Sequence, residues 1–166
     1  CALPIFQRSK IAILKVLMIK KIIVFVCLIS FSVHASQDKA EALQAATDKY
    51  LGFINQISQG SFVEGADKII SSDCTKILNG QLFTENREDF VLDLRSVYEN
   101  HGAWKIYPAD IIISSLSNSV VLRLFIEMEK FGTYTAMVIL RFDSNNLIRE
   151  INEVLSPVKG SYDFKE

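Results

Sequence analysis

Leu43, Ala46, Tyr50, Phe53, Ile54 and Ile57 recur at intervals of three and four. That spacing lines one face of a helix and predicts an amphipathic helix from Asp38 to Gln59, with Gly60 as its stop. Ser61 and Glu64 stand at the spacing of a capping box, in which each side chain satisfies a free backbone N–H of the other. A short second helix is expected from there, with Phe62, Ala66, Ile69 and Ile70 on its inner side. Ile77 to Phe83, broken by Asn79-Gly80, reads as a short edge strand or hairpin. Thr84 is placed to cap a third helix with Phe90, Leu94, Val97 and Tyr98 inside, and Gly102 lies where a left-handed residue closes a helix.

Beyond Gly102 the period shortens to two. Trp104–Ile113, Ser119–Glu129, Gly132–Phe142 and Leu147–Ser156 are rich in branched and aromatic residues and are separated by turn-forming Ser, Asn, Gly and Asp. Short links between successive strands require antiparallel neighbours, so a four-strand meander is expected. On its second strand Val120, Leu122, Leu124, Ile126 and Met128 form an apolar side, the natural core face. Arg123, Glu127, Arg141 and Glu150 are placed to pair on the outer one. The expected fold class is α+β, an antiparallel sheet with three N-terminal helices over one face.

The start of the chain follows another pattern. Lys20-Lys21, the apolar run Ile22–Phe31 and then Ser32-Val33-His34-Ala35 have the layout of a bacterial secretory signal peptide, with small residues set for cleavage after Ala35. The apolar run is shorter than the ~20 residues that span a bilayer. Val26 precedes Cys27 where a lipoprotein requires a small residue, which disfavours lipidation. Residues 1–17 precede Met18 and read as upstream sequence. The expected division is therefore 1–17 upstream segment, 18–35 signal peptide, 36–156 domain and 157–166 polar tail. The expected location is periplasmic or secreted, with no membrane span left after cleavage.

Removal of the leader changes the charge. Five of the 18 Lys and Arg but none of the 19 Asp and Glu precede Ser36, which leaves 13 cations against 19 acids. A surface with that acidic excess repels phosphate backbones, so no nucleic-acid partner is expected. Of the three cysteines only Cys74 remains, so no internal disulfide can form. Cys74 reads as a small buried apolar residue; a nucleophile would need a basic neighbour.

The helix around Asp48-Lys49-Tyr50-Leu51 is one of four segments that carry a resemblance. The others are the turn and helix from Leu82 through Phe83, Thr84, Glu85, Asn86, Arg87, Glu88 and Asp89 to Phe90, the corner Gly102-Ala103-Trp104-Lys105-Ile106, and the hairpin strand Val138–Phe142. Over residues 38–156 the order of elements resembles the nuclear transport factor 2-like superfamily, which includes steroid isomerases and SnoaL-like cyclases. The resemblance implies a strongly curved sheet wrapped around the helices into a cone, an apolar pocket at the open end, and a homodimer through the outer sheet face. Tyr50 matches the oxyanion-donor tyrosine of the steroid isomerases. Their catalytic base would fall in residues 75–80, which hold no acid, and their second carboxylic acid near Val138. That departure turns the reading away from steroid-isomerase catalysis.

Four residues stand as weak candidates for chemistry. Tyr50 is a pocket donor or a packed helix residue. His101 is a cationic cap at a helix end or an acid or base at the mouth of the cone. Trp104 and Asp110, on one strand face by the two-residue period, are a pocket wall with a buried acceptor, or core and solvent. Tyr50, Trp104 and Asp110 are the candidate ligand-binding residues, and the catalytic residues stay open among Asp110, Tyr50 and His101. A lone mature histidine and no cluster at ligand spacing argue against a metal, and no cofactor is expected. The leading function is binding of a small apolar molecule in the pocket or of an envelope protein. A cofactor-free lyase or isomerase of the SnoaL-like type and a structural subunit of a secretion or envelope assembly are the alternatives. Mass spectrometry of the exported protein should find a mature N-terminus at Ser36.

Overall fold

The computed structural model describes residues 36–61 and 64–158. The proposed upstream segment and signal peptide, Phe62, and all but the first two residues of the tail lie outside them. The described residues from 39 onward belong to one compact unit. Among the described residues no helix is long and apolar enough to cross a membrane.

Helix α1 occupies residues 39–58 of this unit. Its inner stripe is the expected one, with Leu43, Tyr50, Phe53, Ile54 and Ile57 buried. Strands β1 (Ile70–Leu78) and β2 (Gln81–Thr84) form a hairpin, followed by α2 (Arg87–His101). The meander then runs through β3 (Trp104–Ser114), β4 (Ser119–Met128), β5 (Gly132–Phe142) and β6 (Ile148–Pro157). The six strands make one curved, unclosed sheet in the order β2-β1-β6-β5-β4-β3. The apolar sides of β4 and β5 pack with α1 and α2 in a single core. This is the expected α+β class, with differences in detail.

The sheet is mixed, since β1 pairs with β6 in parallel while its other neighbouring pairs are antiparallel. A parallel pair needs a long crossover, and here β2, α2, β3, β4 and β5 supply it. The expected second helix is reduced, among the described residues, to one 3-10 turn at Ala66–Lys68 with no side-chain cap and nothing buried. Gly65 at φ 111° is incompatible with a continuing helix. Ile70 becomes the first residue of β1, fully buried opposite Ile148. Thr84 does not cap α2, because it is still paired with Lys76 in the hairpin. Asn86 caps instead, its side chain accepting from the Asp89 N–H at 2.8 Å.

Turn residues act where the chain reverses. Asn79 (φ 51°) and Gly80 (φ 81°) form the two-residue β1–β2 turn with positive φ at both positions, which matches the right-handed twist of the flanking strands. Asn79 also reaches across to β6, where its side-chain oxygen accepts from the Leu155 N–H at 2.9 Å and its own N–H donates to the Glu153 carbonyl at 2.8 Å. Asp143 accepts from the N–H groups of Asn145 and Leu147 and closes the β5–β6 turn.

A bulge reorients half of β3. Pro108 pairs with Leu124, but Asp110, not Ala109, pairs with Arg123. One extra residue inverts every later side chain. Trp104 therefore faces the core, while Asp110 is exposed on the outer face and bound to Arg123 at 2.7 Å. The expectation that these two share a face fails for this reason. Elsewhere on the outer face Arg141 meets Glu150 at 3.1 Å, as expected, whereas Glu127 accepts from the Tyr107 hydroxyl.

Two predictions follow from this packing. A Cβ at Gly60 (φ 82°) would stand 2.5 Å from the Tyr98 hydroxyl oxygen, so Gly60→Ala should lower the unfolding free energy by about 1–3 kcal/mol in denaturant titrations. Burial, reinforced by the Asp73 and Glu150 charges, pushes the Cys74 thiol up to about 12. The unfolded thiol ionises near about 8.5, so Cys74 lets the fold keep full stability below that pH and lose it progressively above, until the native thiol itself ionises. Cys74→Ala should remove the first part of the alkaline decline, with the later part, from buried Tyr50, beginning only above about 10.

Candidate functional site

The concave side of the sheet and the two helices enclose a cavity of ≈ 160 Å³. Most of its wall is apolar: Leu51 and Ile54 from α1, Leu94 and Val97 from α2, and Leu124, Ile126 and Val138 from the sheet. Strand alternation sets the sheet's share, because every second residue of β4 and β5 points inward. Phe83 lines the cavity yet remains half exposed, which marks the rim at β2. It is the extra residue of a second bulge, where Thr84 pairs with Lys76 and Leu82 with Ile77.

Four polar side chains reach this apolar space: Tyr50, Lys76, Asp93 and Glu153. Lys76 is buried on β1, and its ammonium lies 3.3 Å from Asp93 Oδ2 on α2 and 3.6 Å from Glu153 Oε2 on β6. The rings of Phe83 and Phe90 stand 5.4 and 5.7 Å from the same nitrogen, within cation–π range. The remaining oxygens, Asp93 Oδ1 and Glu153 Oε1, have no hydrogen-bond partner among the described residues. Tyr50 is 7% exposed, and no partner for its hydroxyl occurs among the described residues either. Burial, then the Glu153 charge and then Cys74, raise its pKa far above the usual phenol range, so it stays a neutral donor and acceptor.

The structure brings Tyr50 and Trp104 to this cavity and leaves the other two sequence candidates outside its lining. Asp110 is turned to the outer face by the β3 bulge. His101 ends α2 and stands edge-on to Phe131 at 4.7 Å, with Nδ1 buried and unpartnered among the described residues. Val138, near which the resemblance puts a second acid, lines the wall, and its register partner on β6 is Glu153. A carboxylate thus stands on the concave face one strand away.

Sequence reasoning missed Lys76, Asp93 and Glu153. Each carries the same overlooked signal, a charge at a position whose neighbours face inward. Lys76 lies between Cys74 and Leu78, Glu153 between Ile151 and Leu155, and Asp93 between Phe90 and Val97 on the inner stripe of α2. No group of His, Cys, Asp and Glu among the described residues could hold a metal ion.

No family model and no curated protein matches the chain. Solved structures do. A nuclear transport factor 2-like protein of unknown function from Cytophaga hutchinsonii aligns at TM-score 0.54 and 15% identity, over 69% of this chain and 90% of its own. A SnoaL-like polyketide cyclase from Jannaschia sp. aligns at TM-score 0.58 and 6% identity, over 70% and 86%. A steroid delta-isomerase from Pseudomonas aeruginosa aligns at TM-score 0.55 and 14% identity, over 70% and 80%. With the element order, the curved open sheet and the cavity beneath the helices, these likenesses show that the chain has the nuclear transport factor 2-like fold.

Proposed function

We propose that the cavity binds a small, mainly apolar molecule that places one polar group against Tyr50. The observation that carries this reading is a neutral phenol in the wall of an apolar space, with no hydrogen-bond partner among the described residues. A ligand oxygen or nitrogen that bonds this hydroxyl would contribute about 0.5–1.5 kcal/mol. The size suits a monocyclic ligand, since an engineered apolar cavity of about 150 Å³ takes up benzene.

A second reading is favoured by the presence of Tyr50 and Glu153 in the wall of one cavity. In a cofactor-free lyase or isomerase, a neutral phenol donates to an oxygen that gains charge, and a carboxylate takes the proton from the adjacent carbon. Glu153 keeps one oxygen free of Lys76 for that task. The two readings share the site and differ in turnover.

Trp104 is the sole tryptophan of the chain and lines the cavity, so its fluorescence reports occupancy. Titration with benzyl alcohol should give a saturable change, weakened about two- to tenfold by Tyr50→Phe and abolished by the cavity-filling Val138→Phe. A native protein whose Trp104 emission does not respond saturably would overturn binding at this site. Glu153→Gln separates the readings: a binder retains benzyl alcohol and has no turnover to lose, whereas an enzyme retains benzyl alcohol and loses turnover of its host substrate.

A further inference from the structure

The charges in the cavity wall do not balance. Among the described residues Lys76 is the one cation there, set against the two carboxylates of Asp93 and Glu153. All three side chains are largely buried, at 10%, 14% and 15% exposure, where water screens little. The ammonium is enclosed by two carboxylate oxygens and two ring faces, so it offers little to an incoming anion. The carboxylates, in contrast, each keep an oxygen that accepts nothing from the described residues.

What surrounds these oxygens is aromatic. Phe83, Phe90, Trp104 and Tyr50 all line the same cavity. Ring faces attract cations through their quadrupole, as unpartnered carboxylate oxygens do through charge-assisted hydrogen bonds. Tyr50 adds a hydroxyl, without a partner among the described residues, that can accept a hydrogen bond from an N–H. Negative charge in excess, aromatic walls and a buried acceptor all select for the same kind of ligand group.

Resting on the binding reading above, we propose that the ligand is a small hydrophobic amine, taken up as its ammonium. Its apolar body lies against Leu124, Ile126 and Val138, and its charged head meets Asp93, Glu153 and Tyr50. The head supplies the positive charge that Lys76 leaves unmatched. Phe83, half exposed at the rim, is the aromatic face an entering ammonium meets first.

Benzylamine, benzyl alcohol and benzoate share a ring and differ in the charge of the head group. Calorimetric titration of the full chain, with Trp104 fluorescence in parallel, should rank benzylamine about tenfold tighter than benzyl alcohol, with benzoate weakest. Asp93→Asn and Glu153→Gln each leave Lys76 a single carboxylate and a balanced pair, so both variants should fold. Each should remove most of the amine's advantage over benzyl alcohol. Benzyl alcohol binding as tightly as benzylamine would overturn the amine inference and leave the pocket standing. The same inference falls if benzylamine keeps its advantage in both variants. Absence of binding by all three probes would remove the inference together with the binding reading.

Discussion

Lys76 joins three elements at one buried point. Its strand supplies the cation, α2 supplies Asp93 and β6 supplies Glu153, so the cluster ties the three elements together where they meet. Leaving any one of them without its partner in the interior is strongly unfavourable, while apolar side chains of similar volume would do as well or better for stability. A charged cluster is therefore a poor way to hold a core.

Bulges make the cavity possible. The sheet would be flatter without them, since an extra residue bends a strand and raises its local twist. One of them frees Phe83 from strict alternation and puts its ring beside the Lys76 ammonium. Another, in β3, keeps Trp104 inside and sends Asp110 to the solvent side. A third shift, between Arg141 and Phe142, leaves Arg149 out of register where β5 meets β6. Curvature and choice of face thus arise from the same local device.

Much of the fold was legible in the sequence because burial writes a period into it. The stripe of α1, the inner face of α2 and the four strands of the meander all carry apolar residues at the spacing their geometry dictates. The first half of β1 carried no such mark. Ser71, Ser72 and Asp73 break the apolar period, and they lie in the irregular stretch where the β1–β6 register shifts between Ile70 and Thr75. Asp110 was assigned to the wrong face because a bulge leaves no trace in a two-residue period. Of the site, Tyr50 and Trp104 were readable through the resemblance and the pattern. Lys76, Asp93 and Glu153 were not, since their meaning depends on a junction of three elements distant along the chain.

The link between Asn79 and Leu155 has a temporal consequence. These residues are 76 positions apart, and the parallel pairing beside them closes the largest loop in the sheet. Contacts of such wide separation form slowly, because much chain entropy is surrendered before they reward it. On a ribosome β1 must wait, with its neighbour's place empty, until the final strand emerges. The polar half of β1 is well suited to that interval: a strand rich in serine and aspartate is a poor template for aggregation while its edge stays bare.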